Sequence, residues 1–198
     1  MKSLLHILFI LFISNLSLAQ TPNLQWQKSL GGSGTDEARS VYQTSDGGSI
    51  IAGNSNSIDG DVTGNHGSYD YWLVKMDAAG NVQWKNTYGG TSSDKGYAVI
   101  ELSNGGYMAV GNASSTNGDV TGNHGSSDYW VVRTNASGTL LWQKSLGGSS
   151  TDIARGLIKT LDGKILVIGY SRSSNGDVTN PHGGYDFWLT KIDTSGNL

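Results

Sequence analysis

The chain of 198 residues contains no cysteine, only two prolines and no run of basic residues. Without cysteine there are no disulfides and no lipid-bearing cysteine, so the fold must be held by packing and hydrogen bonds. The net charge is −3. Because no basic run is visible, we expect neither nucleic acid nor an anionic membrane surface as a partner.

The first residues have the pattern of an export signal. Lys2 supplies a positive start, residues 4–16 are mostly apolar, and Ser17-Leu18-Ala19 offers a small-residue cleavage site. The apolar run is too short for a membrane anchor, and a buried N-terminal helix is the alternative. We therefore predict a signal peptide at residues 1–19, no membrane insertion after its cleavage, and a secreted or cell-surface protein.

The rest of the chain is built on a repeat of 58 residues. The stretch Gly60–Trp72 returns as Gly118–Trp130 and again as Gly176–Trp188. A fixed period of this length is typical of solenoids and propellers, in which one supersecondary unit is copied and stacked. The predicted units are 24–81, 82–139 and 140–198, the last of which includes the start of a fourth unit at its final residue.

Each unit contains four strand-like runs, as the first unit illustrates. Residues 24–30 alternate between apolar and polar side chains around a tryptophan, and residues 38–44 carry small side chains on one face. Residues 49–53 are apolar on both faces, which indicates an interior strand, and residues 71–76 form the fourth run. No segment has a helical period, so the class is all-β. We expect the small-residue run innermost and the tryptophan run outermost.

Four short strands with a repeated glycine and aromatic signature are the pattern of a propeller blade. The segments 46–53 and 70–75, followed by Gly80 and Trp84, resemble the Kelch-type propeller repeat. The Gly-Asp-Val-Thr-Gly-Asn-His-Gly and Asp-Tyr-Trp elements more closely resemble blade repeats of large secreted proteins of Bacteroidetes, which are commonly exported through the type IX secretion system. The resemblance covers residues 24–197. It implies an architecture and leaves the activity open.

The sequence therefore predicts an all-β, propeller-type array of three four-stranded blades that forms an incomplete ring. Three blades would each have to turn by about 120°, which is too sharp for sheets packed about 10 Å apart. Each blade would consist of the second, third and fourth runs of one unit plus the tryptophan run that begins the next unit. On this register the last blade, residues 154–192, has no outer strand, and the first tryptophan run, residues 24–30, belongs to no blade. We expect further blades or self-association, because exposed edges and apolar faces drive association.

The long loop before the fourth run carries the candidate metal ligands. Carboxylate, amide and hydroxyl oxygens at calcium-loop spacing, with glycine at the bend, would suit calcium. The alternative is that these side chains cap the amides of their own turns, and this interpretation explains every residue type present. The candidate ligands are Asp59, Asp61, Thr63, Asn65, Asp70, Asn117, Asp119, Thr121, Asn123 and Asp128.

A histidine recurs in the same loop as His66, His124 and His182. It could be a metal ligand, or a general base oriented by Asp61 or Asp70. An enzyme normally has one site, whereas this arrangement occurs three times, so we favour a histidine hydrogen-bonded within its loop. No catalytic residues and no organic cofactor are predicted.

The function expected from the sequence is a binding or scaffolding module for a protein or glycan ligand, without catalysis. The alternatives are a non-catalytic portion of a secreted polysaccharide-degrading enzyme and a purely structural spacer. Tryptophans 72, 130 and 188 are expected to pack between blades. Tyrosines that lie exposed near the loops could stack on sugars, and the candidates are Tyr69, Tyr71, Tyr129 and Tyr185.

Overall fold

The computed structural model describes residues 23–103 and 105–198. The predicted signal peptide and Asn104 lie outside these residues. The described part of the chain contains strands and turns and no helix, as the sequence predicts. Accordingly, none of its residues belongs to a helix long and apolar enough to cross a membrane.

Eleven strands form three antiparallel sheets that follow one another along the chain. Sheet 1 contains β1 (Asp36–Gln43), β2 (Ser49–Ser55), β3 (Asp70–Met76) and β4 (Val82–Tyr88). Sheet 2 contains β5 (Asp94–Glu101), β6 (Tyr107–Ala113), β7 (Asp128–Thr134) and β8 (Leu140–Leu146). Sheet 3 contains β9 (Asp152–Lys159), β10 (Ile165–Ser171) and β11 (Asp186–Ile192).

The strand order within each sheet follows the sequence, and each strand pairs with the strand before or after it in the chain. The apolar third runs, β2, β6 and β10, lie in the interior of their sheets. The small-residue runs, β1, β5 and β9, lie at one edge, and β5 contacts both of the others. The tryptophan runs β4 and β8 lie at the opposite edge, as predicted. Sheet 3 has three strands, as expected from the offset of the repeat.

Residues 24–30 were expected to form a strand like β4 and β8, and this expectation is wrong for the described structure. A strand needs a partner for its backbone hydrogen bonds, and no sheet edge lies beside this segment. The segment nevertheless occupies the place of an outer strand. Lys28 Nζ donates to the Gly80 carbonyl at 2.8 Å, just as Lys144 Nζ in β8 donates to the Gly196 carbonyl at 2.8 Å. It therefore packs on sheet 1 as β8 packs on sheet 3.

The core lies between successive sheets. The Tyr71 ring on sheet 1 meets the edge of Trp130 on sheet 2, with ring centroids 4.6 Å apart. Tyr129 on sheet 2 meets Trp188 on sheet 3 at 4.5 Å. Each tyrosine hydroxyl also donates to the carbonyl of the tryptophan it contacts, at 2.8 Å in both cases. Trp130 and Trp188 therefore pack between sheets, as the sequence predicts, whereas Trp72 packs with Leu30 on the face of sheet 1 that no other sheet covers.

A β-bulge recurs in the edge strands β1, β5 and β9. In β1 the register shifts between Ala38 and Ser40, so Arg39 has no partner residue in β2. Shifts at the corresponding places release Tyr97 in β5 and Arg155 in β9 from regular pairing. A bulge bends its strand and re-aims the side chain of the extra residue. These three side chains therefore sit at one repeated position where the edge strands meet.

Candidate functional site

One side of the molecule carries the connectors between sheets and the long loops before β3, β7 and β11. The first connector, residues 31–35, enters β1 beside the loop of residues 56–61. Asp36 accepts a hydrogen bond from the Gly32 amide at 2.8 Å, and Asp94 and Asp152 do the same for Gly90 and Gly148. The aspartate at the start of each sheet therefore fixes its connector.

The first two predicted metal ligands contact backbone amides of the connector. Asp59 Oδ1 accepts from the Ser33 amide at 2.7 Å, and Asp61 Oδ2 accepts from the Gly31 amide at 3.3 Å. Asp61 Oδ1 also lies 2.6 Å from the Lys85 ammonium, which holds the pKa of Asp61 below its ordinary value. An ion bound at this oxygen would have to displace the lysine.

The later predicted ligands of this loop lie in hydrogen bonds with the flanking strands or within the loop. The Thr63 carbonyl accepts from Thr87, and Asn65 Nδ2 donates to the Ser55 carbonyl at 3.0 Å. Asp70 Oδ2 accepts from both the amide and the ring Nδ1 of His66, at 2.9 and 2.7 Å. Asp70 is fully buried, and burial raises its pKa even though His66 opposes the shift. Asp70 therefore orients His66, and Asp61 contacts Lys85 instead.

The second loop repeats these contacts. Asn117 Oδ1 accepts from the Thr91 amide, Asp119 from the Gly89 amide, and Asp128 from the amide and ring of His124. Asn123 Nδ2 donates to two carbonyls, and the Thr121 carbonyl accepts from Ser145. Across residues 23–103 and 105–198, no group of three or more His, Cys, Asp or Glu side chains is placed to hold a metal.

The third loop keeps the same bend with a different residue. Gly64 and Gly122 have φ of 77° and 73°, and Asn180 occupies their position with φ of 52°. Asparagine adopts this left-handed conformation more readily than other side chains do. His182 is more loosely held than its counterparts, because its Nδ1 lies 3.9 Å from Asp186 and its side chain is 85% exposed. The loop geometry therefore survives the loss of the bend glycine.

A row of cationic and aromatic side chains runs from the bulges of the edge strands to the start of β11. The Arg39 guanidinium lies 5.8 Å from the Tyr97 ring centre, and that of Arg155 lies 4.1 Å from it. Arg155 also donates to the Tyr170 hydroxyl at 3.2 Å, and the Tyr170 ring meets Tyr185 at 5.2 Å. The Arg172 guanidinium lies 5.8 Å from the Tyr185 ring centre. We call these six residues the Arg-Tyr row: Arg39, Tyr97, Arg155, Tyr170, Tyr185 and Arg172.

The Arg-Tyr row is accessible to solvent. Its three arginines and Tyr185 are exposed, and Tyr97 and Tyr170 are half-buried. In the described part of the chain, Glu37 is the carboxylate that pairs with the row, through Arg39. Tyr170 and Tyr185 also line an open pocket of ≈ 490 Å³ together with Asp186 and Phe187. The row is therefore a local positive, aromatic surface on a chain with net charge −3.

The shared repeat pattern does not reveal this row, because its residues lie at positions where the three units differ. Arg39, Tyr97 and Arg155 occupy one repeat position without a common residue type, and three of the four arginines of the chain belong to the row. Departures from the repeat were therefore the available signal. Which of them come together depends on the bulges, which the sequence does not mark.

Two of the tyrosines considered for sugar stacking are not available for it. Tyr71 and Tyr129 are completely buried between sheets, and burial raises the pKa of both hydroxyls. Tyr69 is half-buried, with the Lys95 ammonium 4.4 Å from its ring centre, and Tyr185 is 61% exposed. Tyr185 is therefore the most exposed of these four candidates.

No protein-family model matches the chain. Among curated proteins it is similar to the regulatory protein FlaEY of Caulobacter vibrioides, with 30% identity over 164 residues. The match covers 75% of this chain and 17% of FlaEY, so the chain spans less than a fifth of that relative. Among solved structures it is similar to a protein of unknown function from Bacteroides caccae, with 13% identity and a TM-score of 0.31. That match covers 82% of this chain and 65% of the other.

Proposed function

We propose that the three sheets are blades of a propeller segment and that the chain is an exported binding module for an acidic glycan. The observation that carries the proposal is the Arg-Tyr row. The propeller arrangement is supported by the contact of β5 with both β1 and β9, which places the three edge strands around one line. Residues from all three strands also line a single open cavity of ≈ 490 Å³. Propellers usually present loops from successive blades as a recognition surface.

The chemistry of the row suits a chain of sugars that carry carboxylate or sulfate groups. A guanidinium can bind such a group through two parallel hydrogen bonds, which an ammonium cannot do with the same geometry. Tyrosine rings provide flat faces with a polar tip, which pack against sugars and still hydrogen-bond to them. Arg155 and Arg172 lie on either side of Tyr170 and Tyr185. Two anionic groups separated by stacked sugar rings would match this order.

An enzyme of the propeller glycosidase type is the rival from another class. It would need two carboxylates in one cleft, within about 10 Å of each other. Three acids occur in only one repeat, and of these Asp59 already accepts a hydrogen bond from the Ser33 amide, which leaves Glu37 and Glu101. Glu37 lies at the start of β1, whereas Glu101 accepts hydrogen bonds from Ser45, just beyond the end of β1. Eight residues of extended chain span about 26 Å, so this geometry favours binding over hydrolysis.

The proposal is tested by measuring the affinity of the full chain, recovered from an exporting host, for acidic and neutral polysaccharides. We expect binding to polygalacturonate or a sulfated glycan, weaker binding at higher salt, and no binding to dextran. Arg155→Gln should lower the affinity about tenfold or more, since a hydrogen bond to a charged group contributes about 1.5–3 kcal/mol.

The matched control is Lys164→Gln, which removes one exposed positive charge from the hairpin before β10. It changes net charge as Arg155→Gln does, yet lies in the turn at the far end of β9. Equal affinity losses for the two variants would mean that net charge, and not the row, attracts the glycan. Absence of binding to every acidic glycan would favour the spacer interpretation.

A further inference from the structure

The outer face of sheet 3 is apolar and uncovered within the described structure. Phe187, Leu189 and Ile168 are exposed to 92%, 58% and 47%. The residues at the same repeat positions in sheet 1 are Tyr71, Leu73 and Ala52, and all three are 0% exposed because sheet 2 covers them. An apolar surface that is buried wherever the unit recurs indicates that sheet 3 also has a covering partner.

The free edge of β11 indicates the same partner. In sheets 1 and 2 the corresponding strands β3 and β7 pair with β4 and β8. Within the described residues β11 pairs only with β10. Residues 24–30 have the sequence pattern of β4 and β8 but form no strand, although they already pack on sheet 1 in the manner of an outer strand. Residues 24–30 therefore have a strand pattern but no pairing partner in the described structure, and the outer edge of β11 has no neighbouring strand.

These two surfaces do not meet within one chain, because they lie at opposite ends of the row of three sheets. We propose that β11 of one copy pairs with residues 24–30 of a second copy, and that two copies joined head to tail at both junctions close a six-bladed ring. The inference rests on the propeller arrangement proposed above and is independent of glycan binding. Six blades lie within the usual range of about four to eight.

The register of the junction follows from sheet 1. Leu73 pairs with Asn86, and Tyr71 with Tyr88. The repeat places Leu189 at the position of Leu73 and Lys28 at that of Asn86, so these two residues would face each other across the junction. Gln27 corresponds to Lys85, whose side chain points to the other face and binds Asp61. Directly opposite residues have Cβ atoms about 4.5–5.5 Å apart, close to the distance that a disulfide bridges.

The junction also has an electrostatic feature. Arg39, Tyr97 and Arg155 of successive sheets contact one another, so the next sheet in the ring would place Arg39 of the second copy beside Arg155. This like-charge contact is exposed to solvent, and salt at about 0.3 M shortens the range of the repulsion to a few ångströms. The association is therefore expected to strengthen with salt, which is opposite to the effect of salt on glycan binding.

The test uses the absence of native cysteine, which leaves only the introduced thiols to react. The full chain carrying Lys28→Cys and Leu189→Cys is recovered from an exporting host and oxidised mildly at about 0.3 M salt. We expect most of the chain to run as a covalent dimer on a non-reducing gel. The control, Gln27→Cys with Leu189→Cys, has the same number of thiols on opposite faces and should form at most a minor dimer band.

Light scattering of the unmodified chain should give the mass of two copies. A monomer, an open-ended series of larger species or a disulfide within one chain would each overturn the proposed ring. Equal crosslinking of the two cysteine pairs would overturn the proposed register.

A further variant distinguishes the junction from non-specific contact between apolar faces. Phe187 stands where Tyr71 and Tyr129 donate to a tryptophan carbonyl of the next sheet. Phe187→Tyr should therefore reach the Trp72 carbonyl of the second copy and tighten each junction about fivefold, the worth of one net hydrogen bond. A weaker dimer would overturn the proposal, since a non-specific apolar contact loses affinity when a hydroxyl is added.

Discussion

Sheets 2 and 3 are built from the same repeat, yet they differ in what surrounds them. Tyr129 and Val131 on the outer face of sheet 2 are fully buried, whereas Phe187 and Leu189 at the same positions of sheet 3 are mostly exposed. The local sequence is apolar in both sheets, so the difference comes from the neighbour and not from the strand. In a repeat protein, the burial of a unit is therefore set largely by the next unit.

The same contrast applies to the ion pairs at the turns. Lys75 in sheet 1 is 4% exposed where it meets Asp46, while its counterpart Lys191 in sheet 3 is 46% exposed where it meets Asp162. Geometry is conserved between the two pairs, with N–O distances of 2.8 and 2.7 Å. Equal geometry with unequal solvation makes these positions suitable for measuring what coverage by a neighbour contributes.

The largest expected effect comes from leucine truncation at one repeat position. Leu73→Ala should lower the free energy of unfolding by about 2–5 kcal/mol, because it opens a cavity between sheets 1 and 2. Leu189→Ala should change it by no more than about 0.5 kcal/mol in dilute, monomeric samples. Urea unfolding followed by tryptophan fluorescence measures both. Similar losses at the two sites would show that sheet 3 is covered even in the monomer.

A smaller effect is expected from removing the hydroxyl that links sheets 2 and 3. Tyr129→Phe removes the donor to the Trp188 carbonyl. It should lower the free energy of unfolding by about 1–2 kcal/mol, because the carbonyl loses a buried partner. Tyr185→Phe, which alters an exposed ring, is the control and should leave the unfolding midpoint unchanged. If Tyr129→Phe is also neutral, water replaces the hydroxyl and the link between sheets is weaker than the geometry indicates.

Next in size is the loss of one carboxylate from the ion pairs. Asp46→Asn should lower the free energy of unfolding by about 1 kcal/mol, a small effect because Asp46 is half exposed to solvent. Asp162→Asn should lower it by less. The Lys75 hydrogen bond holds the pKa of Asp46 below its ordinary value of 3.8. A lowered carboxyl pKa stabilises the fold above 3.8, and this contribution is lost as pH falls through the folded-state value.

The stability gap between the unmodified chain and Asp46→Asn should therefore be constant from about pH 5 to 7 and should close below pH 3.8. Thermal unfolding across this range measures it. A gap that persists unchanged at pH 2 would assign the effect of the substitution to the turn hydrogen bonds of Asp46 and not to its charge.

The smallest expected effect concerns calcium. If the loop aspartates serve their turns, Asp61→Ala lowers the melting temperature by roughly 2–4 °C, equivalent to about 1 kcal/mol, with or without millimolar calcium. Magnesium at equal ionic strength is the control. Calcium that stabilises the unmodified chain but not Asp61→Ala would instead identify the first loop as a metal site, because a ligand of the native state stabilises by mass action.

Elements whose partners are close in sequence were predictable. The alternation in 82–88, the apolar run 49–53 and the glycine turns specify the β1–β2 and β3–β4 hairpins, whose strands are joined by a few residues. Residues 24–30 have the same local pattern but form no strand, since pairing depends on an edge that the described chain does not bring to them. The sequence pattern thus predicts a capacity to pair, and the tertiary arrangement decides whether it is used.

The loop chemistry was partly predictable for the same reason. Asp36 and Asp70 bind amides four residues away, within reach of sequence reasoning. The Arg-Tyr row joins residues 58 positions apart through bulges, and no local pattern marks it. Long-range juxtapositions of variable positions therefore had to come from the structure.

The offset of one strand between the sequence repeat and the sheets has a consequence for how such chains can change in length. Sheets 1 and 2 each take their last strand from the start of the following unit. Because both unit boundaries fall inside the same kind of hairpin, duplicating or deleting the unit 82–139 would again join a strand like β3 to a strand like β4. Gene-level recombination can therefore alter the number of sheets without creating a new kind of strand pairing.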